Sequence, residues 1–389
     1  MQEVRAVVYG VGAMGSIVTR LLLEKGVKIV GAVGRSPEKV GKDLGEVAGL
    51  DRHIGVEVVA DHNKAFEGGA DIAIVCVSSY LKAMHDHFAI CLEHGANVVT
   101  IEEETVYPWS TSPELANELD HLAKANGVTL AASGAQDVFW LYLVSTLLGA
   151  AHKVDEVSGR CMWNVDDYGP EVASHLRIGD QVEDFERHVR EFGWPEFVAR
   201  QTLEALVSEL GLSISAIDSS VEPVSSQKPI FCRSLDRTIP PGHLIGTVDT
   251  TKVRTAEGPC FSFSMEGRVY TVDQTDMNEW HVTGEPNLHL RNDRASYRFT
   301  TCTSVVNRIP DVINAAPGLV SLDQLGKPNY RHQIQKLKSD LVSAWGQGWT
   351  YVIGRACPLR PKAAVQTAGS YRPLRGPSCV GLKPTDVCF

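Results

Sequence analysis

Two textures of hydrophobic patterning predict an α/β fold, in which a doubly wound parallel sheet is followed by an α+β portion with a mostly antiparallel sheet. Over residues 4–130, short all-apolar runs alternate with amphipathic stretches, as buried parallel strands and their crossover helices require. After about residue 133 the pattern becomes a period-two alternation rich in Val, Phe, Tyr and Thr, the mark of strands covered on one face. A third observation is a glycine loop, Gly10, Gly12 and Gly15, set between the first apolar run and the first amphipathic stretch.

In order, "RAVVYG" (5–10), "KIVGAV" (28–33), "DIAIVCV" (71–77), "NVVTI" (97–101) and "VTLAAS" (128–133) read as strands. Helices follow at "SIVTRLLLEKG" (16–26) and "SYLKAMHDHFAICLEHG" (79–95). In "TSPELANELDHLAKANG" (111–127), Ser112 can cap, Pro113 suits the first turn, Leu115, Leu119 and Leu122 share a face, and Gly127 stops the helix. Beyond them, "HKVDEVSGRCMWNV" (152–165), "CFSFSMEGRVYTVD" (260–273) and "RASYRFTTCTSVVN" (294–307) read as antiparallel strands, with helices near 181–210 over one face. The stretch 307–325 begins helically, turns at Pro317-Gly318 and is expected to return to the first domain. The expected division is 1–133 for nucleotide binding, 134–306 for substrate and dimerisation, 307–340 as the return segment, and 341–389 as an irregular basic tail.

A chain of 389 residues has room for two such domains. Its net charge of −10 offers no basic excess for nucleic acid. No apolar run reaches the roughly 18 residues of a membrane span, and a strand at the N-terminus leaves no room for a signal peptide. Nine cysteines without a C-x-x-C pair suggest reduced thiols and a cytoplasmic setting. Thirteen histidines without H-x-x-x-H spacing imply no metal; His85 and His87 read as solvated surface of a helix.

The spacing G-x-G-x-x-G between a strand and a helix is a dinucleotide cradle of the Rossmann type. Gly10 makes the turn, Gly12 admits a pyrophosphate with Ala13 and Met14 at the helix start, and Gly15 lets helix and strand close. The second strand ends in "GRSPEKVGK", with Gly34 where NAD-specific chains carry an acid. Arg35 and Ser36 can instead hold a 2′-phosphate, which favours NADP(H) over NAD(H). Ser36 and Pro37 also serve as a helix start. Ser78 and Ser79 follow the third long strand, where a nicotinamide ribose would lie; Ser79 equally suits a helix cap.

"VVTIEEETVYPW" (98–109) runs a strand into Glu102, Glu103 and Glu104. Ligands of open α/β sheets bind beyond the carboxyl ends of the strands, so a carboxylate at this tip suits proton transfer. If extension persists, Glu102 and Glu104 share one side and Glu103 faces the other. Crowding of the three should raise at least one pKa. The bland alternative leaves two of them solvated or capping the helix at 113.

With the glycine loop, "CVSSYL", "IEEETVYPW" and "VNRIPDVINAAPGLVSLDQL" in view, the chain resembles the 2,4-diaminopentanoate dehydrogenases and related native amine dehydrogenases, over about residues 4–330. Their nucleotide domain is similar to that of dihydrodipicolinate reductase. The resemblance implies an NAD(P)-dependent amine dehydrogenase, carrying out oxidative deamination or reductive amination with ammonia, usually as a homodimer. It also implies a catalytic glutamate after this strand, matching Glu103 and Glu104, with Tyr107 and Pro108 behind them. Gln136, Phe139, Trp140, Trp163 and Asn164 are candidate substrate contacts; Trp140 and Trp163 read also as core, and Asn164 as a turn residue. A dihydrodipicolinate-type imine or carbonyl reductase is the first rival, though the paired histidines and S-G-T-A step of that group are missing. A sugar dehydrogenase would carry Glu-Lys-Pro here. An acylating aldehyde dehydrogenase would need a nucleophile such as Cys302, whose expected strand setting favours burial. A non-catalytic NADPH-binding sensor needs no acids at this edge.

Overall fold

The computed structural model describes residues 2–195 and 198–336; the expected basic tail lies outside the described residues. Seven strands form one sheet in the order Gly318–Leu319 (β16), Thr129–Ala132 (β7), Asn97–Thr100 (β6), Ile72–Val75 (β5), Arg5–Tyr9 (β2), Lys28–Val33 (β3) and Val58–Val59 (β4). Every neighbouring pair runs parallel. The order reverses at β2, with β3 on one side and β5 on the other, which opens a crevice at the carboxyl ends of these strands.

Alternate residues of each strand serve opposite faces of this sheet. Ala6 and Val8 join Ile74, Val99 and Ala131 beneath helices Ala13–Glu24 (α1) and Tyr297–Ile313 (α10). Val7 and Tyr9 join Val75, Val98 and Leu130 beneath Leu81–Glu93 (α4) and Pro113–Asn126 (α5). The short helices Leu44–Val47 (α2) and His62–Phe66 (α3) fill the β4 side. Both faces are covered, which is why these strands are apolar throughout.

The second sheet has six strands, ordered Leu288–Asn292 (β15), Met277–Glu285 (β14), Lys153–Asn164 (β8), Cys260–Arg268 (β13), Leu244–Thr255 (β12) and Ile214–Ser225 (β9). Only β8 and β13 pair in parallel; the other four pairs are antiparallel. On one face Phe261, Phe263, Trp280 and Val282 bury against Leu203 and Leu206 of Ala199–Glu209 (α9). Leu143–Leu148 (α6), Pro170–His175 (α7) and Val182–Phe192 (α8) complete the helices. Two small antiparallel pairs remain: Gln2–Glu3 (β1) with Gln335–Lys336 (β17), and Ile230–Cys232 (β10) with Arg237–Ile239 (β11).

One expected strand is a helix. Residues 294–307 have strand-like composition, yet α10 starts at Tyr297 and runs through Ile313. Cys302, Val305, Val306, Ile309 and Val312 recur every three or four residues and bury on the parallel sheet and α1, so packing overrides β-propensity. Cys302 is therefore a buried helix residue and not a strand residue. No helix among the described residues is long and apolar enough to cross a membrane. The six cysteines described are free thiols.

Candidate active site

The crevice beside β2 is built by what its glycines leave out. Gly10 has φ +99°, and a Cβ there would stand 2.5 Å from the Cys76 carbonyl oxygen. A Cβ on Gly15 would stand 2.0 Å from the Gly10 carbonyl oxygen. Around Gly12, which precedes the first turn of α1, a Cβ would meet nothing within 4 Å. Two glycines are thus demanded by the protein's own packing, and the middle one keeps open the space before a helix N-terminus. That combination fits a pyrophosphate. Ala13 and Met14 form the first turn behind it.

The adjoining cleft, ≈ 220 Å³, is lined by the glycine loop together with Arg35, Ser36, Lys39, His62 and His87, and by no Asp or Glu. Gly34 is bare for a packing reason: a Cβ would fall 2.6 Å from a Val11 methyl and 2.9 Å from a Val58 methyl. Lys39 Nζ donates to the Val11 carbonyl at 2.9 Å, holding its charge over the loop. His87 is not the solvated surface residue expected from its helical pattern; it lines this cleft with its Nδ1 2.8 Å from the Tyr9 hydroxyl. His85 is half-buried too, with its Nε2 3.2 Å from a Glu118 carboxylate oxygen of α5. Lys39, His62 and Tyr9 carried no motif, and only the fold brings them to the loop.

Two strands away, the chain leaves β6 and does not stay extended. Glu103 is in helical conformation and Glu104–Val106 form a single 3₁₀ turn, so the alternation expected for the three acids fails. Each carboxylate meets a different fate. Glu102 is wholly buried and turns back to accept from the backbone N–H of Glu104 (2.9 Å) and of Thr105 (2.8 Å), and from the Thr105 hydroxyl. Glu104 accepts the Leu81 N–H that opens α4 (3.0 Å) and the Ser112 hydroxyl (2.6 Å). Ser112 therefore binds Glu104 and does not cap α5 through its side chain. Glu104 caps α4, not the helix at 113.

Glu103 is left. Its Oε2 is sealed from solvent with no hydrogen-bond partner among the described residues, while the Ser79 side chain pulls the carboxylate's pKa down by a hydrogen bond. Burial pushes its pKa up to about 7, with the Ser79 bond pulling the other way. Glu102 is pushed up to about 8, again chiefly by burial. Desolvation, not mutual crowding, is the dominant cause for both acids. Tyr80, from the loop before α4, and Tyr168, just beyond β8, both feel the Glu103 charge, and burial raises both phenols. Tyr80 was not singled out in the sequence. Tyr168 follows Trp163 and Asn164 in "WNVDDYG", one 3₁₀ turn beyond the end of β8.

The remaining candidates divide. Gln136 and Phe139 stand on a seven-residue π-helical segment, Gln136–Tyr142, that follows β7. Such segments are rare and recur at functional sites. Gln136 is buried, and its Nε2 has no partner among the described residues. Phe139 meets Tyr297 edge-on, and its carbonyl accepts the Trp280 indole N–H at 3.1 Å. Trp140 is core, packed on Phe263 and Tyr297. Trp163 lies over Gly267 and meets Tyr168 edge-on at 5.1 Å. Asn164 has a turn role, its Oδ1 accepting from Asp166 N–H and Tyr270 N–H, each at 3.3 Å. The segment is pinned by Asp137, which takes a bidentate pair from buried Arg308 of α10 (2.7 Å each) and a bond from Ser133 (2.7 Å). Arginines 160, 177 and 233 are paired with acids of the protein, and Arg237 donates to the Ile178 carbonyl. Elsewhere, Glu279, His281 and His289 are the one group of such ligands close together among the described residues. Their imidazoles are stacked, centroids 4.3 Å apart and planes 8° from parallel, so a bound cation could not lie in both ring planes.

Known proteins resemble the chain over most of its length. The family described as "2,4-diaminopentanoate dehydrogenase C-terminal domain" matches residues 139–339, and "Dihydrodipicolinate reductase, N-terminus" matches residues 4–101. The 2,4-diaminopentanoate dehydrogenase of Acetoanaerobium sticklandii is 29% identical over 347 residues, covering 84% of this chain and 95% of that protein. The structure of an amine dehydrogenase from Mycobacterium smegmatis superposes with a TM-score of 0.81 at 48% identity, over 85% of this chain and 98% of that one. A biliverdin reductase from Synechocystis, solved with biliverdin and NADP+, shares the fold alone: TM-score 0.51, 13% identity, 83% and 94% covered.

Proposed function

The chain belongs to the 2,4-diaminopentanoate dehydrogenase family, and from that premise we propose that it interconverts an amine with a ketone or aldehyde and ammonia, using Glu103 as its base. It is an NAD(P)-dependent oxidoreductase acting on C–N bonds. The nicotinamide, when bound, supplies or takes the hydride; the protein's part is protons and placement. In the amination direction ammonium must lose a proton before it can attack a carbonyl carbon. In the deamination direction water must lose one as it attacks the iminium carbon of the substrate. One carboxylate serves both, provided its pKa lies near the working pH.

The observation that carries this reading is the contrast among three neighbours. Glu102 and Glu104 have both oxygens committed to donors of the protein, whereas Glu103 Oε2 is buried and unpartnered, on a carboxyl raised to about 7. Among the described residues no donor meets it, and on this reading an ammonium or a water supplies one when the substrate is bound. Gln136, Phe139 and Trp163 would then shape the substrate side, Phe139 and Trp163 as apolar surface and Gln136 through its free amide. NADP(H) is the favoured cofactor, because Arg35, Ser36 and Lys39 offer donors to a 2′-phosphate and no acid opposes it. The homodimer implied by the resemblance belongs to the same proposal.

The test is NADPH oxidation with ammonium and a panel of ketones and aldehydes, repeated without ammonium. Turnover that requires ammonium is expected. Equal turnover without it would replace this reading with carbonyl reduction, and NADPH binding without any turnover would replace it with a sensor.

A further inference from the structure

We propose that His62 and His87, joined through Tyr9, form a proton-accepting wall of the cleft that contacts the 2′-phosphate of NADP(H) and gains a proton as it binds. The inference rests on the reading of this cleft as the NADP(H) site. Tyr9 ends β2 with its ring buried, and its hydroxyl lies 2.6 Å from His62 Nδ1 and 2.8 Å from His87 Nδ1. His62 opens α3 and His87 belongs to α4, so three elements converge on one oxygen. Both imidazoles line the cleft beside Arg35 and Lys39.

A phenol has one proton and can donate to only one of the two Nδ1 atoms. The other ring must therefore carry its own proton on Nδ1 and donate it to the phenol oxygen. With both rings neutral, that second ring has a bare Nε2, while the first has an Nε2–H. The wall thus presents one donor and one lone pair, in whichever order. The oxygens of a phosphate dianion are acceptors only, and a bare nitrogen repels them. One proton added at that Nε2 turns it into a charged donor and leaves both Tyr9 bonds intact. The chain of three groups can take up charge without moving.

The surrounding charges set when this happens. His87 is held below the ordinary histidine value by burial, by the Arg35 guanidinium and by His62, with Asp86 of its own helix opposing them in part. Tyr9 is pushed up by burial, so the phenol keeps its proton. A 2′-phosphate beside Arg35 neutralises a charge that keeps the proton off, and adds negative charge of its own. NAD(H) brings nothing to this point.

Calorimetric titration of the full chain with NADPH and with NADH, at pH 7.5 in two buffers of different ionisation enthalpy, reads the protons directly. Free 2′-phosphate, with a second pKa of about 6, is already mostly dianionic there, so protons taken up go to the protein. NADPH should draw in roughly 0.3–1 proton per site and NADH roughly none. His87→Ala should reduce the uptake and weaken NADPH about tenfold, while changing NADH less than about threefold. Tyr9→Phe, which keeps both imidazoles but removes the shared oxygen, should reduce the uptake and leave NADH binding in place. Equal uptake with both cofactors, or uptake surviving in the His62→Ala/His87→Ala double variant, overturns the proposal. If wild type prefers NADPH yet takes up no proton, the histidine wall alone falls. If it prefers NADH, the NADP(H) reading falls and the wall with it.

Discussion

The tips of β2 and β6 lie in one sheet with only β5 between them, and they solve opposite problems. The β2 tip is emptied of side chains, so that backbone N–H groups can face an anion. The β6 tip is loaded with carboxylates, and two of the three are used up in holding the third. In the proposed reading an anion site is made by removing atoms, and a proton site by burying a charge and withholding its partner. The first is a steric requirement that three residues state by themselves. The second depends on Ser79, Leu81, Ser112 and Tyr168, which arrive from other parts of the chain.

Four measurements would break or sharpen that contrast. The largest effect is expected from Glu103→Gln, which should lower kcat by about 10²–10⁴. Glu104→Gln, which keeps an acceptor for Leu81 or Ser112, should cost less than about tenfold; equal losses would end the distinction between the two acids. Next, Gly12→Leu should weaken NADPH binding roughly a hundredfold with Tm unchanged, since its side chain enters open space. Gly15→Ala should instead lower Tm by several degrees, because its Cβ meets backbone. Third, Arg35→Ala should raise KM for NADPH about 10–100-fold and hardly affect NADH. Replacing Gly34 by Asp would not test the same point, as the Val11 and Val58 methyl groups would have to shift first.

The smallest effect concerns pH. The Glu103 carboxyl is raised in the folded protein to about 7, so folding favours its protonated form. Its contribution to stability is complete below the unfolded-chain value, near 4.5, and is lost as pH rises through about 7. Glu103→Gln should accordingly match wild type in denaturant midpoint near pH 4.5 and exceed it by about 1–3 kcal/mol at pH 8. Wild-type kcat/KM should rise with pH through the same range, as the base form appears. Stability and activity then move in opposite directions across one titration.

What could be read from the sequence follows the same division. The parallel sheet, its helices and the glycine loop were legible because each rests on local spacing: apolar runs, caps, and Gly10, Gly12 and Gly15. Strands β8 and β13 were legible by their alternation. Helix α10 was legible only from about residue 307; before that its Thr, Tyr, Phe and Val content suits a strand, and only its burial pattern against the sheet reveals the helix. The choice among the three glutamates was not legible either, since it is settled by donors 23 and 8 residues away for Glu104 and two and three away for Glu102. His87 was misplaced for a related reason: a polar residue in an amphipathic helix looks solvated until a buried phenol from another strand is found beside it.

The pairing of Asp137 with Arg308 sets a schedule for the chain as it is made. The two residues are 171 apart, and β16, the strand that completes the parallel sheet beyond β7, lies later still. At synthesis rates of about 5–20 residues per second, Asp137 emerges roughly 10–30 s before its guanidinium. Through that interval Asp137 stands without the guanidinium it pairs with in the folded chain, and burying a carboxylate without a counter-ion is costly. The nascent chain therefore cannot seal this junction early. This junction, which the proposed function makes a wall of the substrate pocket, is then among the last parts to close.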